Sequence, residues 1–329
     1  MMTAKRSIDE TVSARTPRGA STLHLPAPAE RDAAGPWATV LDALCACFGA
    51  VSRDTWHERM ARGRVLDATG RALGPAHPYR EGLRVHYFRE VATEVPIPFA
   101  VRVLHADEHL LVADKPHFMP VAPVGRFVRE TLLTRLIAQT GNDALVPLHR
   151  IDRDTAGIVL FSTSTASRAA YHALFRDRRL GKYYEALAAL PPDGAGDAHV
   201  VERRSRLVRG EPFFRMQETT GPANSETRIE LLGAHAGLWR YGLQPRTGRK
   251  HQLRVHMAAI GAPIVNDVLY PALRARLPDD FTRPLQLLAR RVWFVDPLSG
   301  VVRRFDSTLR LPGLAASPVS AAAGPLGEA

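Results

Sequence analysis

Residues 149–154, His-Arg-Ile-Asp-Arg-Asp, place one imidazole, two guanidiniums and two carboxylates within six positions. The turn-formers Asp154, Thr155 and Gly157 come next, and the apolar run Ile-Val-Leu-Phe completes the segment. With residues 149–152 extended, Arg150 and Asp152 project to one side, His149 and Ile151 to the other. Asp152 then sits where a loop enters a buried strand, with an arginine close by. Such a carboxylate can stay ionised although partly desolvated, because the cation offsets the penalty. Held there, it can serve as a nucleophile or as a base.

A second dense cluster spans residues 244–271. Its apolar spacing predicts a helix over 247–261, with His251, Arg254 and Val255 on one face. Arg246, Arg249 and Lys250 crowd the start of that helix, where free backbone N–H groups favour a phosphate. His251 and Arg254 are expected to line a substrate pocket, the other three to meet a nucleic-acid backbone. A third segment, Lys-Tyr-Tyr-Glu-Ala-Leu at 182–187, puts Tyr183 and Tyr184 on opposite faces of a strand. One can pack in the core while the other lines a pocket, where its ring can stack on a base.

These groups need elements to position them. Residues 1–35 and 313–329 are rich in Ala, Pro and Ser without an apolar period, and are expected to be disordered tails. Residues 36–93 read as a small basic α/β module, and 94–99, with two prolines, as a linker. From 100 to 312 strands and helices do not alternate strictly. This predicts an α+β domain around a mixed, largely antiparallel sheet.

Composition narrows the function. The chain has 329 residues, 45% hydrophobic and 23% charged, which fits a folded globular protein. Its apolar runs are too short to span a bilayer, and residues 1–19 lack the apolar core of a secretory signal. A cytoplasmic monomer with no membrane contact is expected. Lys plus Arg outnumber Asp plus Glu by 44 to 33, a formal +11, which favours a polyanionic partner such as RNA. Residues 149–152 are not a kinase loop: the aspartate falls one position late and no glycine-rich loop precedes it. There is no H-E-x-x-H, dinucleotide fingerprint, Walker loop or G-x-S-x-G. Cys45 and Cys47 have neither zinc nor redox spacing. No metal and no cofactor are expected, and the chemistry falls to side chains alone.

Four segments, in order, resemble the motifs of the RluA-type family of RNA pseudouridine synthases. They are Leu-Leu-Val-Ala-Asp-Lys-Pro (110–116), Leu-His-Arg-Ile-Asp-Arg-Asp-Thr-Ala-Gly (148–157), Lys-Tyr-Tyr-Glu-Ala-Leu (182–187) and the stretch from Pro245 to Tyr270. Ile151, Ala156, Lys250 and Asn266 depart from the usual Leu, Ser, Thr and Gly. The resemblance covers roughly 100–312. It implies that Asp152 is the catalytic aspartate, that Arg150 helps displace the target base, that Tyr184 stacks on it and that Arg254 pairs with Asp152. It further implies isomerisation of uridine to pseudouridine in structured RNA, ribosomal or transfer, without a cofactor. Asp152 would either attack C1′ or remove a sugar proton. The module at 36–93 resembles the small RNA-binding domain that often precedes such catalytic domains. The alternatives are a non-catalytic RNA-binding protein retaining the fold and a glycosylase that releases the base.

Overall fold

The computed structural model describes residues 20–27, 37–88, 90–91, 94–190, 200–274 and 278–314. The chain divides into two compact units, residues 1–92 and 93–329.

The first unit holds β1 (Ala20–His24), α1 (Val40–Cys47), α2 (Arg53–Ala61), β2 (Val65–Leu66) and β3 (Arg84–Phe88), with strand order β1-β3-β2. Thr39 and Asp42 cap α1 reciprocally and Ser52 caps α2, so both helices begin where the capping rules place them. Leu44, Trp56, Val85 and Tyr87 close a small core. The tail expected over 1–35 needs correction. Residues 20–24 pair along the whole of β3, and Leu25 is buried. The short Leu23–Leu25 alternation supplies the apolar anchor that the Ala- and Pro-rich surroundings disguise. Residues 1–19, 28–35 and 315–329 of the two expected tails lie outside the described residues. Gly313, at the start of the second tail, is bonded to Gln286 through its N–H.

The second unit is built on one large sheet. Its strands are β4 (Arg102–Ala106), β5 (Leu110–Lys115), β6 (Val146–Pro147), β7 (Ala156–Ser162), β8 (Leu180–Ala188), β9 (Val200–Arg209), β10 (Met216–Thr219), β11 (Ser225–His235), β12 (Leu238–Pro245), β13 (Leu287–Val295) and β14 (Val302–Asp306). The order is β10-β9-β11-β12-β8-β13-β7-β5-β4, with β14 on β13 and β6 on β7. Only the β13–β7 contact is parallel among the described pairings, so the mixed, largely antiparallel sheet is as expected. Helices α3 (Leu132–Thr140), α4 (Arg168–Arg176) and α5 (Gln252–Ala259) interrupt the strands. Gly141, in the left-handed region, ends α3.

Two expectations change here. Residues 94–99 are not a free linker. Glu94 accepts the N–H groups of Val128, Arg129 and Glu130, and Ile97 is buried in the core with Phe99 against it. The alternating Ile97, Phe99 and Val101 turn a proline-rich segment into a packed strap. The helix expected over 247–261 is shorter, starting at Gln252, because His251 takes a left-handed conformation at its N-cap.

Gly157 shows why the sheet can close. Its φ is +112°, and a Cβ there would collide with the backbone of Ala289 on β13. Only glycine lets β7 and β13 meet in parallel at that point.

Candidate active site

Asp152 lies in the loop between β6 and β7, and its carbonyl closes a turn by accepting the Thr155 N–H at 3.2 Å. The turn is clamped from within the protein by Lys115, at the end of β5. Lys115 is fully buried and donates to the carbonyls of Pro116, Met119 and Arg153 at 2.9, 2.7 and 2.9 Å. Burial pushes its pKa down to about 7 against the opposing charges of Asp154 and Asp152. Three carbonyls take up the three donors of the ammonium form. His117 Nδ1 donates to the Asp154 carbonyl at 2.7 Å. Arg153 binds Asp154 and Asp279 and lies over the rings of Phe118 and Phe127, so this guanidinium serves the loop itself.

The Asp152 carboxylate meets Arg254 Nη1 at 3.4 Å and His251 Nε2 at 4.0 Å. Arg254 is 2% exposed and held side-on by Asp267, with Nε and Nη2 each 2.7 Å from a carboxylate oxygen. Burial would lower its pKa, but Asp267, and then Asp152, hold it above the usual arginine range. His251 Nδ1 lies 2.9 Å from Tyr270 Oη, which also accepts the Met216 N–H at 2.7 Å. We assign the tyrosine proton to Nδ1 and the ring proton to Nε2, facing Asp152. Burial pushes His251 down to about 4, with Asp152 opposing, so the ring is neutral at neutral pH.

Tyr184, on β8, lines the same cleft, while Tyr183 faces the other way over Gly242, where any Cβ would collide with its phenol. Burial, and then the charge of Asp152, raise the Tyr184 phenol well above its ordinary value. The cleft has a volume of about 720 Å³, within the ~300–1,000 Å³ that encloses ligands of nucleotide size.

All the predicted site residues line this cleft: Asp152, Arg150, Tyr184, Arg254 and His251, together with Arg246, Arg249 and Lys250. Arg254, which the resemblance pairs with Asp152, stands beside it. Arg150, expected close to Asp152 from the extended spacing, is exposed and, among the described residues, makes no hydrogen bond or ion pair. Two further placements differ from expectation. His251 and Arg254 meet at Asp152 without sharing a helical face, because His251 stands outside α5. Arg246 is tied to Glu226 at 2.6 Å and Arg249 Nε to the Asn224 carbonyl at 3.1 Å, so only Lys250 of the three has no such partner among the described residues.

Asp267 and Tyr270 were not singled out by the sequence reading. The signal was present: Asp267 is the sole acidic residue between 244 and 271, and a buried arginine demands a carboxylate. Among the described residues no group of three or more His, Cys, Asp or Glu is arranged to hold a metal. No helix among them is long and apolar enough to cross a membrane.

Four histidines of this unit are held neutral by burial: His149 near 3, and His117, His251 and His256 near 4. Unfolded, each titrates at about 6.5. Between pH 6.5 and 4 the unfolded chain therefore binds more protons, and stability falls as the pH drops. Calorimetry should show Tm lower by about 5 °C or more at pH 5 than at pH 7. An unchanged Tm would mean that these rings are not buried neutral.

The sequence profile of RNA pseudouridylate synthase matches residues 109–259, from β5 through α5. An uncharacterised RNA pseudouridine synthase of Synechocystis sp. is 32% identical over 221 residues, covering 66% of this chain and 74% of that protein. The ribosomal large subunit pseudouridine synthase D of Pseudomonas aeruginosa is 30% identical over 234 residues, covering 64% of this chain and 68% of that protein. In structure, human RNA pseudouridylate synthase domain containing 1 aligns with a TM-score of 0.52 at 22% identity, over 65% of this chain and 86% of that one, and shares the fold. With three of the four motifs lining one cleft and the first holding its Asp152 loop through Lys115, the chain belongs to the RluA-type family of RNA pseudouridine synthases, isomerases that convert uridine to pseudouridine in RNA.

Proposed function

We propose that the protein isomerises particular uridines in structured RNA, ribosomal or transfer, with Asp152 as the catalytic residue and no cofactor. The observation that carries this reading is the Asp152 carboxylate in the cleft, 3.4 Å from an arginine that Asp267 already holds in place. The reaction breaks N1–C1′ and forms C5–C1′. The hydrogen on C5 leaves as a proton and N1 gains one, so atoms balance with no co-reactant. Asp152 acts either by attacking C1′ or by removing a sugar proton, and both routes use the carboxylate in this position.

The target nucleotide must first leave its stack, at a cost of a few kcal/mol. Arg150, exposed and unpaired among the described residues, is free to enter the vacated space. Tyr184 stacks on the uracil, and neutral His251 offers its Nε2–H beside Asp152. Lys250 meets the RNA backbone, helped by the remaining donors of Arg246 and Arg249. In the first unit Arg62 and Arg64 are bound to Glu90. An RNA-binding role for that unit falls to Arg71, Arg80 and Arg84, whose side chains have no such partner among the described residues. The name of the Pseudomonas relative supports a ribosomal substrate.

Carbodiimide mapping tests the reading. Ribosomal and transfer RNA from cells lacking the gene is incubated with the purified protein, and pseudouridine is read as primer-extension stops. One or a few new stops are expected at defined uridines. RNA that gains none in either class would overturn the proposal.

A further inference from the structure

Lys182 stands two positions before Tyr184 on β8, so both side chains leave the strand on the same face and enter the same cleft. It is half-buried, and among the described residues it makes no hydrogen bond and no ion pair. Its Nζ lies against the loop between β12 and α5, 3.7 Å from where a Cβ on Gly248 would stand. Glycine at 248 leaves the space beside the ammonium open.

The groups around it are cationic or neutral. Arg178 is exposed at the margin of the cleft, His149 is held neutral, and Lys250 lies two residues past Gly248. Burial, and then Arg178, lower the pKa of Lys182, and no carboxylate offsets them. A partly desolvated ammonium with no acidic neighbour gains by meeting an anion. The fully buried cations Lys115 and Arg254 have protein acceptors, three carbonyls and Asp267. Lys182 has none among the described residues, and it faces the space where a nucleotide is received.

We propose that Lys182, beside Gly248, grips a phosphate flanking the target uridine, so that one strand face holds the nucleotide at its base through Tyr184 and at its phosphate through Lys182. The inference rests on the function proposed above.

The test uses a stem-loop RNA centred on the uridine that mapping identifies, with the phosphate on its 5′ or its 3′ side replaced in turn by a neutral methylphosphonate. One of the two replacements should lower kcat/KM of the wild type by about 10- to 100-fold. Lys182→Met should show a similar loss on unmodified RNA and little further loss on that modified RNA. Lys182→Arg should recover much of the rate. Lys182→Met should also melt no lower than the wild type, since the ammonium has no protein partner to lose among the described residues; a structural lysine would behave in the opposite way. Equal losses from the modification in wild type and Lys182→Met would overturn the inference while leaving the enzyme reading intact. Failure of the wild type to convert the unmodified RNA would remove that reading, and this inference with it.

Discussion

Asp152→Asn lowers the rate of pseudouridine formation by about 10⁴-fold or more, the scale seen when a reacting group is removed, while fold and RNA binding persist. The amide has nearly the same shape but is a far poorer nucleophile and base than a carboxylate. Asp152 is only partly buried, and its polar neighbours are Arg254 at 3.4 Å and His251 at 4.0 Å. Arg254 keeps both bonds to Asp267 when Asp152 is neutralised. The expected Tm change is therefore within a few degrees. Single-turnover assays with carbodiimide detection measure the first effect, and fluorescence anisotropy with the same RNA the second. Turnover above about one part in a hundred of the wild type would exclude Asp152 as the reacting group. Loss of binding in step with turnover would make it a structural residue instead.

Asp267→Asn loses both properties. Asp267 is 2% exposed, accepts two bonds from Arg254 and also takes the N–H groups of Leu269 and Tyr270 at 2.8 and 3.1 Å. An asparagine turns an NH₂ group toward the guanidinium and leaves a buried cation without its main counter-charge. Breaking one side of such a pair costs about 3–5 kcal/mol, which a urea titration reads as a lower midpoint. Arg254 then turns more fully onto Asp152, occupying the carboxylate that the reaction needs, and kcat falls by about 10²-fold. The two variants form a contrast: one inactive and stable, the other slow and unstable. An unchanged midpoint in Asp267→Asn would show that this pair does not anchor α5.

The parts of the site that were legible in the sequence are those concentrated in short segments. Asp152 stands out because it lies in a run where ionisable residues crowd a strand end, whereas Tyr184 is separated from Tyr183, and Arg254 matched to Asp152, through the family resemblance. The sheet class followed from the irregular sequence of strands and helices. What escaped depends on contacts made across the chain. Extended spacing alone puts Arg150 close to Asp152, whereas the carboxylate meets Arg254, a hundred residues further along. The left-handed step at His251 has no glycine to announce it. Strand β9 is rich in charge and β10 is polar, so their pairing at the edge of the sheet left little hydrophobic trace. Strand β1 hid in a segment whose surroundings resemble a tail.

The parallel meeting of β13 with β7 has a consequence for how the molecule comes into being. Strand β7 follows directly from the Asp152 loop, and β8 carries Tyr184, yet the two do not touch; β13 lies between them. That bridging strand is synthesised only after β7 and β8 and the four strands that follow them. Until then the two walls of the cleft have open edges facing each other and nothing to join them. The cleft is thus completed from its middle, by a strand made after both of its sides.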